Sequence, residues 1–380
     1  MRFEPTELTP EEAALQTEVR EFTDRELPRG SFERALGMGA DSDRAFSKKM
    51  AEAGYIGMAL PKQYGGHDRR AVDRFIVVEE LLRSGAPVGY HWVADRQTGP
   101  VITKFGTDEQ RERFLPKICA GELGFSIGMS EPDSGSDLAS VKTRADRAEN
   151  GWLVSGTKIW TSNAHTNDWF ICLCRTSPME DGNKHQGLSQ LLIDLSSDGL
   201  EINTIPFLDG TEHFTEVVLN EVYVPDENVL GEVGMGWAQN TSEMAYERGG
   251  PDRWLSTYGL VEEFLRLHEG QDIDDRTAAM LGDVTARWHA LHNMSFSVAR
   301  MIDEAGAPSI EAALVKEMGT RFEQEVVAQV QELLDHEPAP GTESQFERLL
   351  VAATLTGPSF TIRGGTIEIL RSVASKGLSA

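Results

Sequence analysis

The spacing of apolar residues changes twice along this chain. Up to about residue 121, apolar side chains recur every three or four positions, which is typical of helices with one buried face; one such face consists of Phe75, Val78, Leu81 and Leu82. Between residues 122 and 224 the apolar runs become short and alternating, with Gly, Asn and Asp turns between them. This pattern predicts an antiparallel sheet. Helical spacing then returns.

Local start and stop signals support this division. Thr9 and Thr107 each precede a helical pattern and are followed three positions later by Glu12 and Gln110, so both are predicted capping boxes. In the last third, the predicted helices cover residues 237–248, 276–304, 310–334 and 344–353, with breaks at 306–308 and 336–341. Four such helices favour a bundle.

These patterns together predict an α+β fold in three domains. We expect an all-helical N-terminal domain over residues 1–121, a middle antiparallel β domain over 122–230 and a C-terminal four-helix bundle over 231–380.

The most distinctive stretch begins with a short apolar strand at residues 125–129. It leads into S-E-P-D-S-G-S-D at residues 130–137, where Pro132 and Gly135 end the strand. The hydroxyls and free backbone N–H groups of such a turn can converge on a phosphate or another polar cofactor group. The same composition also fits an ordinary polar turn between two strands. No G-x-G-x-x-G follows a strand and opens a helix, which argues against a Rossmann dinucleotide site.

Two motifs carry a family resemblance. M-S-E-P-D-S-G-S-D, at residues 129–137, and G-T-K-I-W-T-S-N, at 156–163, resemble the paired signatures of the acyl-CoA dehydrogenase family, and the similarity extends from residue 51 to residue 377. The resemblance implies FAD as cofactor and α,β-desaturation of an acyl-CoA thioester. That reaction needs a carboxylate to remove the α proton, a flavin to accept the β hydride and donors to hold the thioester oxygen.

The resemblance also implies which residues contact the cofactor. Ser136 is expected beside the pyrophosphate and the CoA substrate, and Trp160 and Ser162 beside the flavin ring; a core indole of the β domain is the alternative for Trp160. The full set of implied flavin contacts is Ile127, Met129, Ser130, Gly135, Ser136, Trp160, Ser162, Thr366 and Glu368.

The position of the catalytic base departs from the commonest family pattern. Many members carry the base as the Glu of an E-G-T triplet near the end of the chain. Here Gly364 occupies that position, followed by Gly365 and Thr366, and it has no side chain to take a proton. The backbone N–H of Gly364 can still help to hold the thioester oxygen of the substrate.

A second branch of the family places its base on the first helix of the bundle, where this chain has Tyr246, Glu247 and Arg248. Gly249-Gly250-Pro251 should end that helix, and a helix C-terminus raises the pKa of a carboxylate. We therefore expect Glu247 as base, Arg248 beside it and Tyr246 at the substrate. The alternative is a solvated Glu247 paired with Arg248. The small residues after the base favour a bulky, steroid-type acyl group.

Two further family motifs are missing. Members that bind FAD between like subunits carry R-x-x-F-G on a bundle helix and Q-x-x-G-G before the C-terminal loop; residues 275–282 and 352–358 match neither. This resembles the bacterial branch whose α2β2 heterotetramers act on steroid side-chain CoA thioesters. The resemblance implies a second homologous subunit as partner, with a homo-oligomer as the alternative, and an electron-transferring flavoprotein as acceptor. An oxidase and a non-catalytic structural subunit are the alternative functions.

Composition excludes several other classes of function. The chain has 36 basic and 61 acidic residues and a net charge of −25, which argues against nucleic acid and anionic membranes as partners. No apolar run approaches the ~20 residues of a membrane helix, and the N-terminal residues lack a secretion pattern. Three cysteines predict a reducing, cytoplasmic location. Cys172 and Cys174 are expected to be buried core thiols rather than ligands of a metal.

Overall fold

The computed structural model describes residues 3–4, 7–34, 36–37, 41–179, 183–242, 248–339 and 341–378. The chain divides into two compact units. The helical unit comprises Met1–Met38, Arg70–Ala86 and Ala245–Ala380, and the sheet unit comprises Gly39–Arg69 and Pro87–Met244. The predicted domain boundaries at 121/122 and 230/231 stay predictions.

Within the described residues the α-helices are, in chain order, α1 (Pro10–Glu26), α2 (Arg44–Glu52), α3 (Ala71–Ser84), α4 (Gly89–Val93), α5 (Gly99–Phe105), α6 (Asp108–Cys119), α7 (Gly236–Ser242), α8 (Tyr258–Leu267), α9 (Asp275–Asp303), α10 (Ser309–Glu332), α11 (Gln345–Phe360) and α12 (Ile367–Leu378). The strands are β1 (Phe125–Gly128), β2 (Arg144–Ala148), β3 (Gly151–Ser162), β4 (Trp169–Arg175), β5 (Leu188–Asp194), β6 (Leu200–Ile205) and β7 (Phe214–Pro225).

The predicted helix starts are confirmed. Thr9 caps α1 and Thr107 caps α6. In each case the side chain of the residue three positions later, Glu12 or Gln110, accepts a hydrogen bond from the backbone N–H of the cap. The predicted breaks after α9 and after α10 are also present. Such signals depend only on neighbouring residues, which is why sequence alone locates them.

The C-terminal region contains two helices that the apolar spacing did not predict, α8 and α12, and α11 extends to Phe360 rather than ending near residue 353. No side chain caps the start of α8, so its sequence lacks an ordinary start signal. The only proline inside α11, Pro358, lies in its last turn, where the helix continues for just two more residues.

The sheet unit is built on a seven-stranded sheet in the order β1-β4-β2-β3-β7-β6, with β5 also paired to β4. The long pair of β3 and β7 is antiparallel, as predicted, whereas β1 lies parallel to β4. Cys172 and Cys174 on β4 are buried and free, as predicted, and burial raises the pKa of Cys172 to about 11. Among the helices that the structure describes, none is long and apolar enough to cross a membrane.

Candidate functional site

The end of β1 and the end of β3 lie side by side in the sheet unit. Ile159 donates its backbone N–H to Ser130 O at 3.0 Å, and Lys158 donates Nζ–H to Met129 O at 3.1 Å. Four residues before Ser130, on β1, Ser126 Oγ donates to Ser162 O at 2.7 Å. The structure thus brings the predicted contact residues of the two sequence motifs together.

Trp160 is the most unusual residue of this group. It has a φ of +62°, at a point where the β3–β7 register shifts between Lys158 and Thr161. The bulge turns the indole outward, so that 53% of it is exposed and its ring meets Phe214 edge-on at 6.1 Å. The alternative of a core indole is therefore wrong. Ile127, Met129, Ser130 and Ser162 are all partly exposed.

Glu131 connects the polar turn after β1 to the neighbouring backbone and to β3. Its carboxylate accepts backbone N–H bonds from Lys142 at 2.6 Å and Thr143 at 2.8 Å, and an ion pair from Lys158 Nζ at 2.8 Å. Burial alone would raise the pKa of Glu131, but the ammonium of Lys158 and these hydrogen bonds lower it below its usual range. Glu131 is therefore an anion that ties the turn to β3.

The tip of the same turn is open. Gly135 and Ser136 are exposed, and no described atom lies within 4 Å of the place where a Cβ on Gly135 would be. Ser134 Oγ donates to Asp137 O at 2.6 Å, while Lys184 Nζ donates to Asp137 Oδ2 at 3.0 Å. The turn is thus rigid at its base and accessible at its tip, which favours a binding turn over an ordinary polar connection.

In the helical unit, a turn of two glycines connects α11 and α12. Gly364 and Gly365 have φ angles of +64° and +95°, a region that favours glycine. Thr366 and Glu368 follow at the start of α12. Glu368 is exposed, and hydrogen bonds from its own backbone N–H and from Thr366 lower its pKa.

Arg248 lies directly against this turn. A Cβ on Gly365 would be only 3.2 Å from Arg248 Nη2, and the Arg248 side chain is buried. The predicted base Glu247 and the predicted substrate contact Tyr246 lie outside the described residues. Their roles stay predictions, although Glu247 is covalently joined to a residue that packs on the glycine turn.

The sequence did not predict a cluster of charged residues at this turn, of which Lys316 and Glu323 are buried. Lys316 Nζ donates to Gly365 O at 2.7 Å, and Arg363 Nη2 lies 3.1 Å from Glu323 Oε2. Lys316 and Glu323 are completely buried on α10, seven residues apart on one helix face. The signal that could have identified them is their spacing on the face of α10 that also carries the small residues Gly319 and Thr320 and the apolar Val327.

The Arg363–Glu323 pair combines a buried carboxylate with a partly exposed guanidinium. Burial raises the pKa of Glu323 against the opposing effect of Arg363. Arginine keeps its proton in proteins, so the guanidinium remains a cation with planar, fixed donors. The pair can therefore hold backbone and side-chain acceptors in a defined geometry.

Comparison with known proteins defines the class. Residues 9–122, 126–222 and 269–379 match family models described as the N-terminal, middle and C-terminal domains of acyl-CoA dehydrogenase. The chain is 30% identical over 383 residues to acyl-CoA dehydrogenase FadE29 of Mycobacterium tuberculosis (strain ATCC 25618 / H37Rv), covering 98% of this chain and 97% of that protein. The chain belongs to the acyl-CoA dehydrogenase family.

Two solved structures share the fold over essentially the full chain. One, described as "Tcur3481-Tcur3483 steroid ACAD", has a TM-score of 0.88 and 25% identity, covering 100% of this chain and 99% of that one. The other, the ChsE4-ChsE5 complex from Mycobacterium tuberculosis, has a TM-score of 0.83 and 26% identity, with coverage of 100% and 99%. The predicted order of helical, β and helical domains is confirmed.

Membership also confirms the predicted class of enzyme, an oxidoreductase, and its cofactor, because the family is FAD-dependent. The exposed residues of the sheet unit have the chemical types that FAD requires. The exposed indole of Trp160 and the partly exposed side chains of Ile127 and Met129 provide an apolar surface for a flat ring system. The open tip at Gly135 and Ser136 provides a hydroxyl and unobstructed backbone for a pyrophosphate.

Proposed function

We propose that this chain is the catalytic subunit of an acyl-CoA dehydrogenase for bulky, steroid-type CoA thioesters, with Glu247 as the α-proton base. The observation that carries the proposal is the contact of Arg248 with the turn that contains Gly364. This turn corresponds to the family's usual position for the base, and here it has no carboxylate. Glu247 directly precedes Arg248 in the chain, and we infer that its carboxylate replaces the missing one.

The roles of the other residues follow from this arrangement. FAD, when bound, accepts the β hydride of the thioester. Glu247 removes the α proton, and the backbone N–H of Gly364 donates to the thioester oxygen as negative charge develops there. Tyr246 contacts the acyl group, and Arg248 keeps the end of the base helix against the turn. Thr366 and Glu368 contribute contacts to the flavin from the start of α12.

A bulky substrate is supported by one comparison: the chain aligns over its full length with a solved structure described as "steroid ACAD". The small residues after the base region add no support, because Gly249 is buried and a Cβ there would lie 2.5 Å from Val298 Cγ1 on α9. Assays with straight-chain, branched and steroid side-chain CoA thioesters test this part, and a preference of kcat/KM for straight chains would contradict it.

We also propose a second homologous dehydrogenase subunit as partner, in an α2β2 assembly. Residues 275–282 and 352–358 lack the family motifs that complete a neighbour's flavin site, and the similar ChsE4-ChsE5 structure is a complex of two named chains. Gel filtration with flavin absorbance on the chain expressed alone is the test. A stable homotetramer with one FAD per chain would count against it.

The electron acceptor is proposed to be an electron-transferring flavoprotein, and the location to be the cytoplasm, which suits the three free thiols. Comparison of turnover with an electron-transferring flavoprotein and with molecular oxygen separates a dehydrogenase from an oxidase. Rapid turnover with oxygen alone would favour the oxidase.

Replacement of the base is the decisive experiment. Glu247→Gln should retain FAD but lose turnover and the exchange of substrate α protons with deuterated water, because the amide cannot accept the proton. Glu269→Gln, at an exposed position of the same unit, is the matched control and should behave as wild type. Persistent exchange in Glu247→Gln would place the base elsewhere, and absence of turnover in every assembly of the wild type would favour a structural subunit.

A further inference from the structure

The guanidinium of Arg363 joins three segments of the helical unit. Its Nη2 donates to Glu323 Oε2 on α10 at 3.1 Å, to Ser256 Oγ at 2.9 Å and to Asp252 O at 3.3 Å. The backbone N–H of Ser256 donates to the other carboxylate oxygen of Glu323 at 2.7 Å. Arg363 directly precedes Gly364, so the ion pair fastens both the glycine turn and the segment around Ser256 to one point on α10.

The second of these fastened segments is the continuation of the base region. Within the described residues it runs from Arg248 to Ser256, and it packs closely on α10, since a Cβ on Gly319 would lie only 2.5 Å from Arg253 O. A shift of this segment relative to α10 would therefore require backbone to move against backbone. The segment that follows the proposed base and the glycine turn are therefore both held by α10.

We propose that the Arg363–Glu323 ion pair, with the hydrogen bonds that both residues make to Ser256, is a positioning device that holds the turn at Gly364 in place relative to the segment 248–256, which directly follows the proposed base. The inference rests on the proposed role of Glu247. When a base belongs to the C-terminal turn itself, the covalent chain fixes it relative to the donor in that turn. A base on another segment needs a non-covalent link, and Arg363 of the turn and Glu323 of α10 both hydrogen-bond to Ser256 of that segment.

Energetics support positioning rather than simple stabilisation. The Glu323 side chain is completely buried and the Arg363 side chain is 26% exposed. Desolvation of the carboxylate offsets much of the attraction between them, so the pair is a poor stabiliser compared with apolar side chains of the same volume. All three acceptors lie around Nη2, which has two hydrogens, so the position of this one nitrogen holds the three groups together. Lysine at position 363 would keep the positive charge, but its side chain is one bond shorter than that of arginine, so its ammonium could not occupy the position of Nη2 without a shift of the turn.

The experiment compares Arg363→Lys with wild type in the FAD-loaded full-length chain, assembled with its partner where turnover requires it. The substrate is the thioester that the wild type turns over fastest, with hydrogen or deuterium at Cα. We expect unchanged FAD content, KM within about threefold and a decrease in kcat of about 10- to 100-fold, because misplacement of a reacting group by about 1 Å costs rate on this scale. The isotope effect on kcat should rise as proton removal becomes limiting.

Matched variants separate positioning from folding. Arg371→Lys alters the ion pair, 2.7 Å long, between the exposed Arg371 of α12 and Glu317 of α10, and it should leave kcat and the isotope effect unchanged. The double variant Arg363→Met with Glu323→Leu removes both charges, so it should recover thermal stability without recovering kcat. Recovery of kcat in the double variant would overturn the proposal.

Two further results would also overturn it. In one, Arg363→Lys has the kcat and isotope effect of wild type. In the other, its kcat falls only in proportion to lost FAD or lost folded protein, with the isotope effect unchanged. Glu247→Gln distinguishes this failure from failure of the proposed base: if Glu247→Gln is inactive while Arg363→Lys is normal, only the positioning role is wrong.

Discussion

Lys158 and Glu131 form an ion pair inside the sheet unit, with Nζ 2.8 Å from Oε1 and side chains that are 0% and 7% exposed. Lys158 also donates to Met129 O, and Glu131 accepts the backbone N–H groups of Lys142 and Thr143. A single buried pair thus connects the centre of β3 with both ends of the turn that carries the predicted cofactor contacts.

The first prediction concerns the removal of one partner of this pair. Lys158→Met should lower the free energy of unfolding by about 3–5 kcal/mol, because it leaves an uncompensated buried carboxylate. Lys142→Met removes the exposed partner of Asp133 and should cost no more than about 1 kcal/mol. Urea unfolding of both variants is the measurement. If Lys158→Met were as stable as Lys142→Met, the Lys158–Glu131 pair would make no contribution to the free energy of unfolding.

The second prediction concerns Trp160, whose side chain is exposed and whose backbone is in the left-handed region. Trp160→Gly should relieve strain worth about 1–2 kcal/mol and so preserve or raise stability, while flavin retention falls because the apolar surface is lost. Glu221→Gly makes the same backbone change at an exposed residue of β7 with a φ of +52°. It should gain stability without losing flavin.

Thermal unfolding and flavin absorbance per chain measure the two effects separately. Equal flavin content in Trp160→Gly and wild type would remove Trp160 from the proposed cofactor site.

The parts of the fold that could be predicted from sequence are those that depend on neighbouring residues. Thr9 and Glu12 cap α1 across three positions, and the Gly306-Ala307-Pro308 break lies between α9 and α10. Both features act within one helical turn, so sequence alone contains them. The candidate cofactor contacts were predicted from the resemblance of residues 129–137 and 156–163 to the family motifs.

The parts that could not be predicted depend on partners far apart in the chain. Lys158 meets Glu131 across 27 residues, and Lys316 meets Gly365 across 49. A charged residue within an apolar pattern signals burial, but it does not identify its partner. The parallel pairing of β1 with β4 was missed for the same reason, since the choice of neighbouring strand is a property of the whole sheet.

The third prediction concerns the turn between α11 and α12. Gly364→Ala places a Cβ on a residue with a φ of +64°, which should cost about 1–2 kcal/mol of stability and displace the backbone N–H. If that N–H holds the thioester oxygen, kcat should fall by about tenfold or more. The measurement is steady-state kinetics at equal flavin loading.

Gly341→Ala is the control for this variant. Gly341 has a φ of +82°, and no described atom lies within 4 Å of a Cβ placed there. It should lose similar stability and keep its kcat. If the two variants lost kcat equally, general destabilisation and not the position of Gly364 would explain the loss.

The last prediction concerns pH and His91. Ser47 Oγ donates to Asp43 O, so its oxygen accepts the hydrogen bond from His91 Nδ1 at 2.7 Å. Burial lowers the pKa of His91 from 6.5 to about 3. The folded protein therefore keeps a neutral imidazole where the unfolded chain binds a proton, and the stabilisation from His91 is complete above pH 6.5 and is lost as pH falls toward 3.

His91→Gln removes this titration and keeps a polar side chain, so its stability should fall less steeply with acid than that of wild type. The difference in slope should reach at most about 1.4 kcal/mol per pH unit. Urea midpoints between pH 7 and pH 4 measure it, and His165→Gln, at an exposed position of the same unit, is the control. Parallel acid profiles of wild type and His91→Gln would mean that His91 is protonated in the folded protein or contributes nothing to its acid sensitivity.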